Sequence, residues 1–117
     1  MSKYRPDKWV VLKIAGSDIA GSDLPPIYKV FACWYGGYLG SDSWKINSGI
    51  TKVTLEGNVY SFEGYSGSVY ECHKDVYGMN MYGGGVLMNM RENAKERGIT
   101  IEIMDEETNW LEINYGD

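Results

Sequence analysis

The chain has 117 residues, enough for one domain, and its 44% hydrophobic and 23% charged residues are typical of a folded globular protein rather than a disordered one. Its net charge of −5 argues against direct binding to the phosphate backbone of a nucleic acid. No apolar run is long enough for a transmembrane helix, and the polar N-terminal residues do not have the pattern of a secretory signal.

Alternating and β-branched segments predict strands along most of the chain. We expect strands at residues 8–15, 27–34, 44–46, 50–55, 59–64 and 67–73. The sequence Glu56-Gly57-Asn58 predicts a hairpin turn, and the strands between residues 27 and 73 are typical of an antiparallel meander. In the strand at 27–34, alternation makes Val30 and Ala32 part of the cleaner core face.

One helix is predicted late in the chain. Residues 86–98 carry apolar side chains at helical spacing and basic side chains near the C-terminal end, and Gly98 is a natural residue to end the helix. A strand at 99–104, a turn and a last strand at 110–114 follow. The sequence therefore predicts a single α+β domain over residues 1–117, with a mostly antiparallel sheet and one late helix packed on it.

Three glycines, Gly83, Gly84 and Gly85, come directly before the predicted helix. Free backbone amides at a helix N-terminus bind anions, so the triplet is a candidate site for an anionic small molecule or nucleotide. It lacks the Lys-Ser/Thr pair of a P-loop and the third glycine of a dinucleotide-binding loop. A structural alternative stays open, in which Asn80 caps a helix that runs through the glycines at about 1 kcal/mol each relative to alanine.

Aromatic residues cluster around two turns that share the pattern G-Y-x-G-S, at residues 37–41 and 64–68. Rigid aromatic rings beside glycine and serine are typical of protein recognition surfaces. The alternative is that the rings cover the core of a small sheet. The predicted partner-binding residues are Trp34, Tyr35, Tyr38, Trp44, Tyr65 and Tyr70.

The C-terminal residues 99–117 contain only acidic charges. This segment is either a solvated end that increases solubility or a contact surface for a basic partner. Its acidic residues are Glu102, Asp105, Glu106, Glu107, Glu112 and Asp117.

Patterns for nucleophilic catalysis are sparse. Cys72 and His73 are neighbours on a predicted strand and face opposite sides, which leaves a pair of Cys33 and His73 across strands as the remaining arrangement. With only two cysteines, a cytosolic protein with reduced thiols is expected, and a disulfide between them stays open. We expect a protein without enzymatic activity.

Carboxylates and metal ligands give no clear site. Two separated cysteines and one histidine fall short of a zinc site, so neither a metal nor a cofactor is expected. The aspartates of the turns lack the spacing of a calcium loop, and strand glutamates could form a glycosidase pair only if the fold brought two of them together. The aspartates are Asp18, Asp23 and Asp42, and the glutamates are Glu56, Glu63 and Glu71.

Two segments, W-K-I-N-S-G-I at 44–50 and G-S-V-Y-x-C-H-K at 67–74, carry a resemblance. With them, residues 27–82 resemble small uncharacterised proteins of tailed phages and their bacterial hosts. The resemblance implies a phage or bacterial cytoplasmic setting and no catalytic residue. The resulting hypothesis is a small binding or accessory protein, with a host-modulating role open, that recognises a protein partner through the aromatic turns or the acidic C-terminal segment. Homo-oligomerisation stays open.

Overall fold

Two neighbouring strands form the centre of the fold because each carries apolar side chains on both faces. They are β2 (Lys8–Ala15) and β3 (Ile27–Trp34), and they pair antiparallel with Val10 opposite Phe31. The computed structural model describes residues 2–16, 25–36 and 40–115. Phe31 and Cys33 are fully buried, as are Val30 and Ala32 on the other face. The core therefore extends to both faces of β3, which is typical of a strand covered on both sides.

The strands divide between two four-stranded sheets. The first sheet has the order β4-β3-β2-β8, with β4 at Ser43–Ile46 and β8 at Thr100–Ile103. The second has the order β1-β7-β6-β5, and its strands are β1 (Lys3–Tyr4), β5 (Ile50–Glu56), β6 (Val59–Gly64) and β7 (Val69–His73).

The prediction of a mostly antiparallel α+β fold with one late helix is confirmed. Among the named strands of the described residues, every pairing is antiparallel except that of β1 with β7. The hairpin at residues 56–58 is also confirmed, and Gly57 adopts the positive φ of +61° that such a turn requires. The predicted meander is interrupted, because the chain passes from the first sheet to the second between β4 and β5.

The molecule has three layers. The inner faces of the two sheets bury one cluster, to which the first sheet contributes Trp9 and Val11 and the second sheet contributes Phe62 and Cys72. The helix α1 (Met81–Glu96) covers the other face of the first sheet, where Leu87 joins a second buried cluster. The first sheet is thus the middle layer.

The helix begins five residues before the predicted start at residue 86 and ends where predicted. Asn80 is its N-cap. At the other end Gly98 has a φ of +74°, its amide donates to the carbonyl of Lys95 at 3.1 Å, and the amide of Ile99 donates to the carbonyl of Ala94 at 2.9 Å. This is the glycine-terminated ending that the sequence predicts.

The predicted last strand at 110–114 is wrong. The chain after β8 forms turns, and within them Trp110 packs into the cluster between the sheets and is only 1% exposed. The side chain of Asn109 accepts a hydrogen bond from the amide of Leu111 at 3.1 Å, a local bond that competes with extended pairing. Burial of one tryptophan, rather than strand pairing, fixes this segment.

Within residues 2–16, 25–36 and 40–115, no helix combines the length and the apolarity needed to cross a membrane.

Candidate functional site

The glycine triplet lies inside the helix rather than in front of it. The Asn80 side-chain oxygen accepts a hydrogen bond from the amide of Gly83 at 2.6 Å, and the Asn80 carbonyl accepts one from Gly84 at 2.9 Å. A Cβ added to Gly83 would overlap the sulfur of Cys33. Gly83 and Gly84 therefore do not offer the free amides on which the predicted anion site depended, and the structural alternative describes Gly83 better.

Three of the six predicted partner-binding aromatic residues, Trp34, Trp44 and Tyr70, pack on the core. Tyr70 is 2% exposed between the sheets, so its ring is not on the surface. The Trp44 ring stacks on Phe31 with 5.5 Å between ring centroids, and the Trp34 indole donates to the carbonyl of Arg5 at 2.9 Å. Tyr38 lies outside the described residues.

Two of these aromatic residues are well exposed, Tyr35 at 56% and Tyr65 at 66%. They lie at opposite ends of β3. A Cβ added to Gly49 would contact both the Tyr65 ring and the side chain of Ile27 at the start of β3, whereas Tyr35 directly follows the end of that strand. An eight-residue strand spans about 23 Å between its terminal Cα atoms, so the two rings do not form one continuous surface.

The two cysteines are free thiols in different layers. Cys33 faces α1, Cys72 lies between the sheets, and burial raises the pKa of both thiols. His73, at the exposed end of β7, accepts a hydrogen bond from the amide of Asp75 at 3.2 Å. The fold therefore leaves Cys33 and His73 apart, and neither thiol has the lowered pKa of a nucleophile.

Two of the strand glutamates, Glu56 and Glu71, line one shallow cavity of about 230 Å³ on the outer face of the second sheet. The guanidinium of Arg5 donates to the Glu71 carboxylate at 2.8 Å, and this hydrogen bond lowers the pKa of Glu71. A glycosidase acid needs a raised pKa, so the arrangement does not favour acid catalysis by Glu71. Glu63 lies opposite Lys52 in the β5–β6 pair.

The acidic segment, residues 104–112, is held in place by the buried Trp110 and the half-buried Tyr77 and Tyr115. The Tyr77 hydroxyl donates to the carbonyl of Met104 at 2.6 Å and accepts from the amide of Val11 at 3.1 Å. Trp110 packs on Tyr77 with 5.8 Å between ring centroids, and the Tyr115 hydroxyl donates to the Trp110 carbonyl at 2.6 Å. The exposed acidic residues of the segment are therefore presented from an ordered backbone.

Between the acidic segment and the 3₁₀ turn Lys74–Val76 lies a cavity of about 290 Å³, which we call the acidic cavity. Because Trp9 and Trp110 are buried while the charged lining residues are exposed, we place the aromatic rings at its floor and three carboxylates and one ammonium group at its rim. The lining residues are Trp9, Tyr60, Tyr77, Trp110, Lys74, Asp75, Glu106 and Glu107.

The rim of the acidic cavity is negatively charged. Three carboxylates (−3) and one ammonium group (+1) give a formal charge of −2. Glu106 and Glu107 are exposed, and the described part of the chain gives neither of them an ion-pair partner; Asp75 lies 3.6 Å from the imidazole of His73. The site therefore has unneutralised negative charge above aromatic rings.

This combination suits an organic cation. Aromatic faces attract ammonium and guanidinium groups, and carboxylates strengthen that attraction through charge-assisted hydrogen bonds. The described residues contain no group of three His, Cys, Asp or Glu side chains placed to hold a metal ion.

The sequence analysis identified the acidic residues of this site but not the residues of β6 and of the segment after β7 that line the acidic cavity with them. Tyr60, Lys74, Asp75 and Tyr77 come from β6 and from the segment after β7, far from the acidic segment in the chain. One signal was present, since Trp110 interrupts an otherwise acidic and polar run and a tryptophan there indicates an anchor.

No protein-family model, no curated protein and no solved structure matches the chain.

Proposed function

We propose that the protein is a small non-catalytic binding module that recognises a basic segment of a protein partner through the acidic cavity. One observation carries the proposal: the buried Trp110 holds Glu106 and Glu107, which have no described ion-pair partner, beside a cavity with an aromatic floor. The sequence hypothesis offered the aromatic turns or the acidic C-terminal residues 99–117 as the recognition surface. The proposal keeps the acidic residues and does not rely on the aromatic turns.

A lysine or arginine side chain matches this site in both of its parts. Its aliphatic stem packs on aromatic rings, here Tyr60 and Tyr77, while its charged head reaches the carboxylates at the rim. A phosphate-rich ligand is disfavoured by the same carboxylates and by the net charge of −5. The resemblance to small phage and bacterial proteins adds a cytoplasmic setting and an accessory or host-modulating role to the proposal.

The test is calorimetric titration with an acetylated and amidated peptide of alternating lysine and glycine. Its control is the same peptide with norleucine in place of lysine, which keeps the stem and removes the charge. We expect the lysine peptide to bind and the E106Q/E107Q variant to bind it about tenfold more weakly, since loss of two charged contacts costs about 1.4 kcal/mol or more.

The matched control is the E56Q/E96Q variant, which loses the same charge at exposed residues outside both the acidic segment and the lining of the acidic cavity. It should retain the affinity of the unchanged protein apart from a small long-range effect. Equal weakening in both variants would show that net charge alone attracts the peptide. Failure of the unchanged protein to distinguish lysine from norleucine would reject the proposal.

A further inference from the structure

The strand β8 ends the first sheet and has one described neighbour, β2. The amide of Met104 donates to the carbonyl of Val11 at 2.9 Å, so the backbone groups of residue 104 point towards β2. Backbone groups alternate in direction along a strand, so those of Ile101 and Ile103 point away from the sheet. Such an edge is a template on which another strand can pair.

A groove runs beside this edge. One flank of α1 and the start of β8 enclose a cavity of about 410 Å³, which is lined by Met88, Arg91, Glu92, Lys95, Ile99, Thr100 and Ile101. The opposite flank of α1 borders a second cavity, which shares Ile99 and Ile101 with the first and reaches Ile14 of β2, inside the sheet. The groove therefore opens outward, on the side of the free edge, and Met88 in it is 63% exposed.

We infer that the β8 edge and this groove form a two-fold interface with a second copy of the chain. Antiparallel pairing of β8 with β8 of the second copy joins the two first sheets into one continuous sheet. A register centred on Glu102 would place two like charges opposite each other, which is destabilising. A register centred on Ile101 places Glu102 opposite Thr100 of the second copy and brings the outward backbone groups of Ile101 together.

The charges of α1 fit a second copy in this arrangement. A two-fold axis through an antiparallel edge pair is perpendicular to the sheet, so both helices lie on the same face and run antiparallel. Arg91 and Glu92 lie on the outward flank of α1, beside the start of β8, and in this arrangement they face the axis. Arg91 of each copy then faces Glu92 of the other, and the stem of Lys95 covers Met88 of the other. The surface is thus complementary to itself.

The test is sedimentation velocity over a wide range of protein concentration, with charge-reversed variants. We expect the unchanged protein to be a dimer, and R91E and E92R each to weaken dimerisation by about tenfold or more, because each places like charges at the axis. The R91E/E92R variant restores opposite charges and should restore the dimer. E56R, the same kind of change at an exposed residue of β5 in the second sheet, is the matched control and should remain dimeric.

Amide hydrogen exchange gives a second, independent readout. In the dimer the amides of Ile101 and Ile103 should exchange more slowly at high protein concentration than at low concentration, with circular dichroism confirming that each variant is folded. A protein that stays monomeric at every concentration overturns the inference. So does a dimer that R91E and E92R leave intact, or one that R91E/E92R does not restore.

Discussion

Asn80 and Gly83 together decide where α1 begins. The Asn80 side chain satisfies the amide of Gly83, and the missing side chain of Gly83 lets the helix approach Cys33 on β3. A capping asparagine stabilises a helix by about 1 kcal/mol, which offsets part of the low helix propensity of the glycines. The two residues thereby fix the first turn of α1 against the first sheet.

Alanine substitutions should separate the roles of the glycines. Gly83→Ala should lower the free energy of unfolding by about 1–3 kcal/mol, because its Cβ would overlap the Cys33 sulfur. Gly84→Ala and Gly85→Ala should each raise it by up to about 1 kcal/mol, since a Cβ at either position meets no atom within 4 Å. Urea unfolding measures all three.

Cys33→Ala provides the control for this contact. In a double-mutant cycle, the penalty of Gly83→Ala should be smaller in the Cys33→Ala background, because the overlapping sulfur is gone. If Gly83→Ala stabilises the protein as Gly84→Ala does, the close packing of α1 on β3 is wrong.

The acidic segment depends on the Tyr77 hydroxyl, which lies between the amide of Val11 and the carbonyl of Met104. Val11 and Met104 are the next residues after the Leu12–Ile103 pair of β2 and β8. The hydroxyl therefore links the two strands one residue beyond their paired region. Burial raises the pKa of Tyr77 to about 12. The bridge therefore keeps its proton at neutral pH and can donate and accept at once.

The raised pKa predicts a decline in stability at high pH. In the unfolded chain a tyrosine loses its proton near pH 10. The folded protein holds that proton more tightly, so the contribution of Tyr77 is complete below about pH 10 and is lost as pH rises through about 12. Tyr70, whose pKa burial also raises to about 12, contributes in the same direction.

Tyr77→Phe isolates the Tyr77 contribution. At neutral pH the variant should be less stable by about 1–3 kcal/mol, because Val11 and Met104 lose their bonding partner. Above pH 10 its stability should fall less steeply with pH than that of the unchanged protein, as measured by urea unfolding at a series of pH values. An identical slope would show that Tyr77 is not buried in its neutral form.

Local sequence patterns predicted the features that local interactions determine, namely the strand positions and the end of the helix. Alternation and β-branched apolar runs located β2, β3, β5, β6 and β7, and Gly98 ended the helix where expected. The start of α1 was placed too late because glycines have low helix propensity, and only contact with Cys33 explains Gly83.

Long-range contacts decided the rest. Residues 110–114 have the composition of a strand. They form turns instead, because Trp110 is buried between the sheets. The acidic residues were evident, yet the cavity beside them needs Tyr60 and Asp75 from distant parts of the chain. No local sequence pattern predicts that Tyr60 and Asp75 lie beside the acidic segment.

The two proposals are compatible within one assembly. The acidic cavity and the groove of the proposed two-fold interface share no lining residue, since the first lies beside the acidic segment and the second beside α1 and the start of β8. A dimer would carry two acidic cavities, so a partner with two basic segments could bind both and gain affinity without any new contact.

The most direct test of the central claim uses the four tryptophans as reporters in a nuclear magnetic resonance titration with the lysine peptide. Trp9 and Trp110 line the acidic cavity, whereas Trp34 and Trp44 belong to the aromatic turns. The proposed function predicts that the indole signals of Trp9 and Trp110 shift and those of Trp34 and Trp44 do not. Shifts confined to Trp34 and Trp44 would contradict it and move recognition to the aromatic turns.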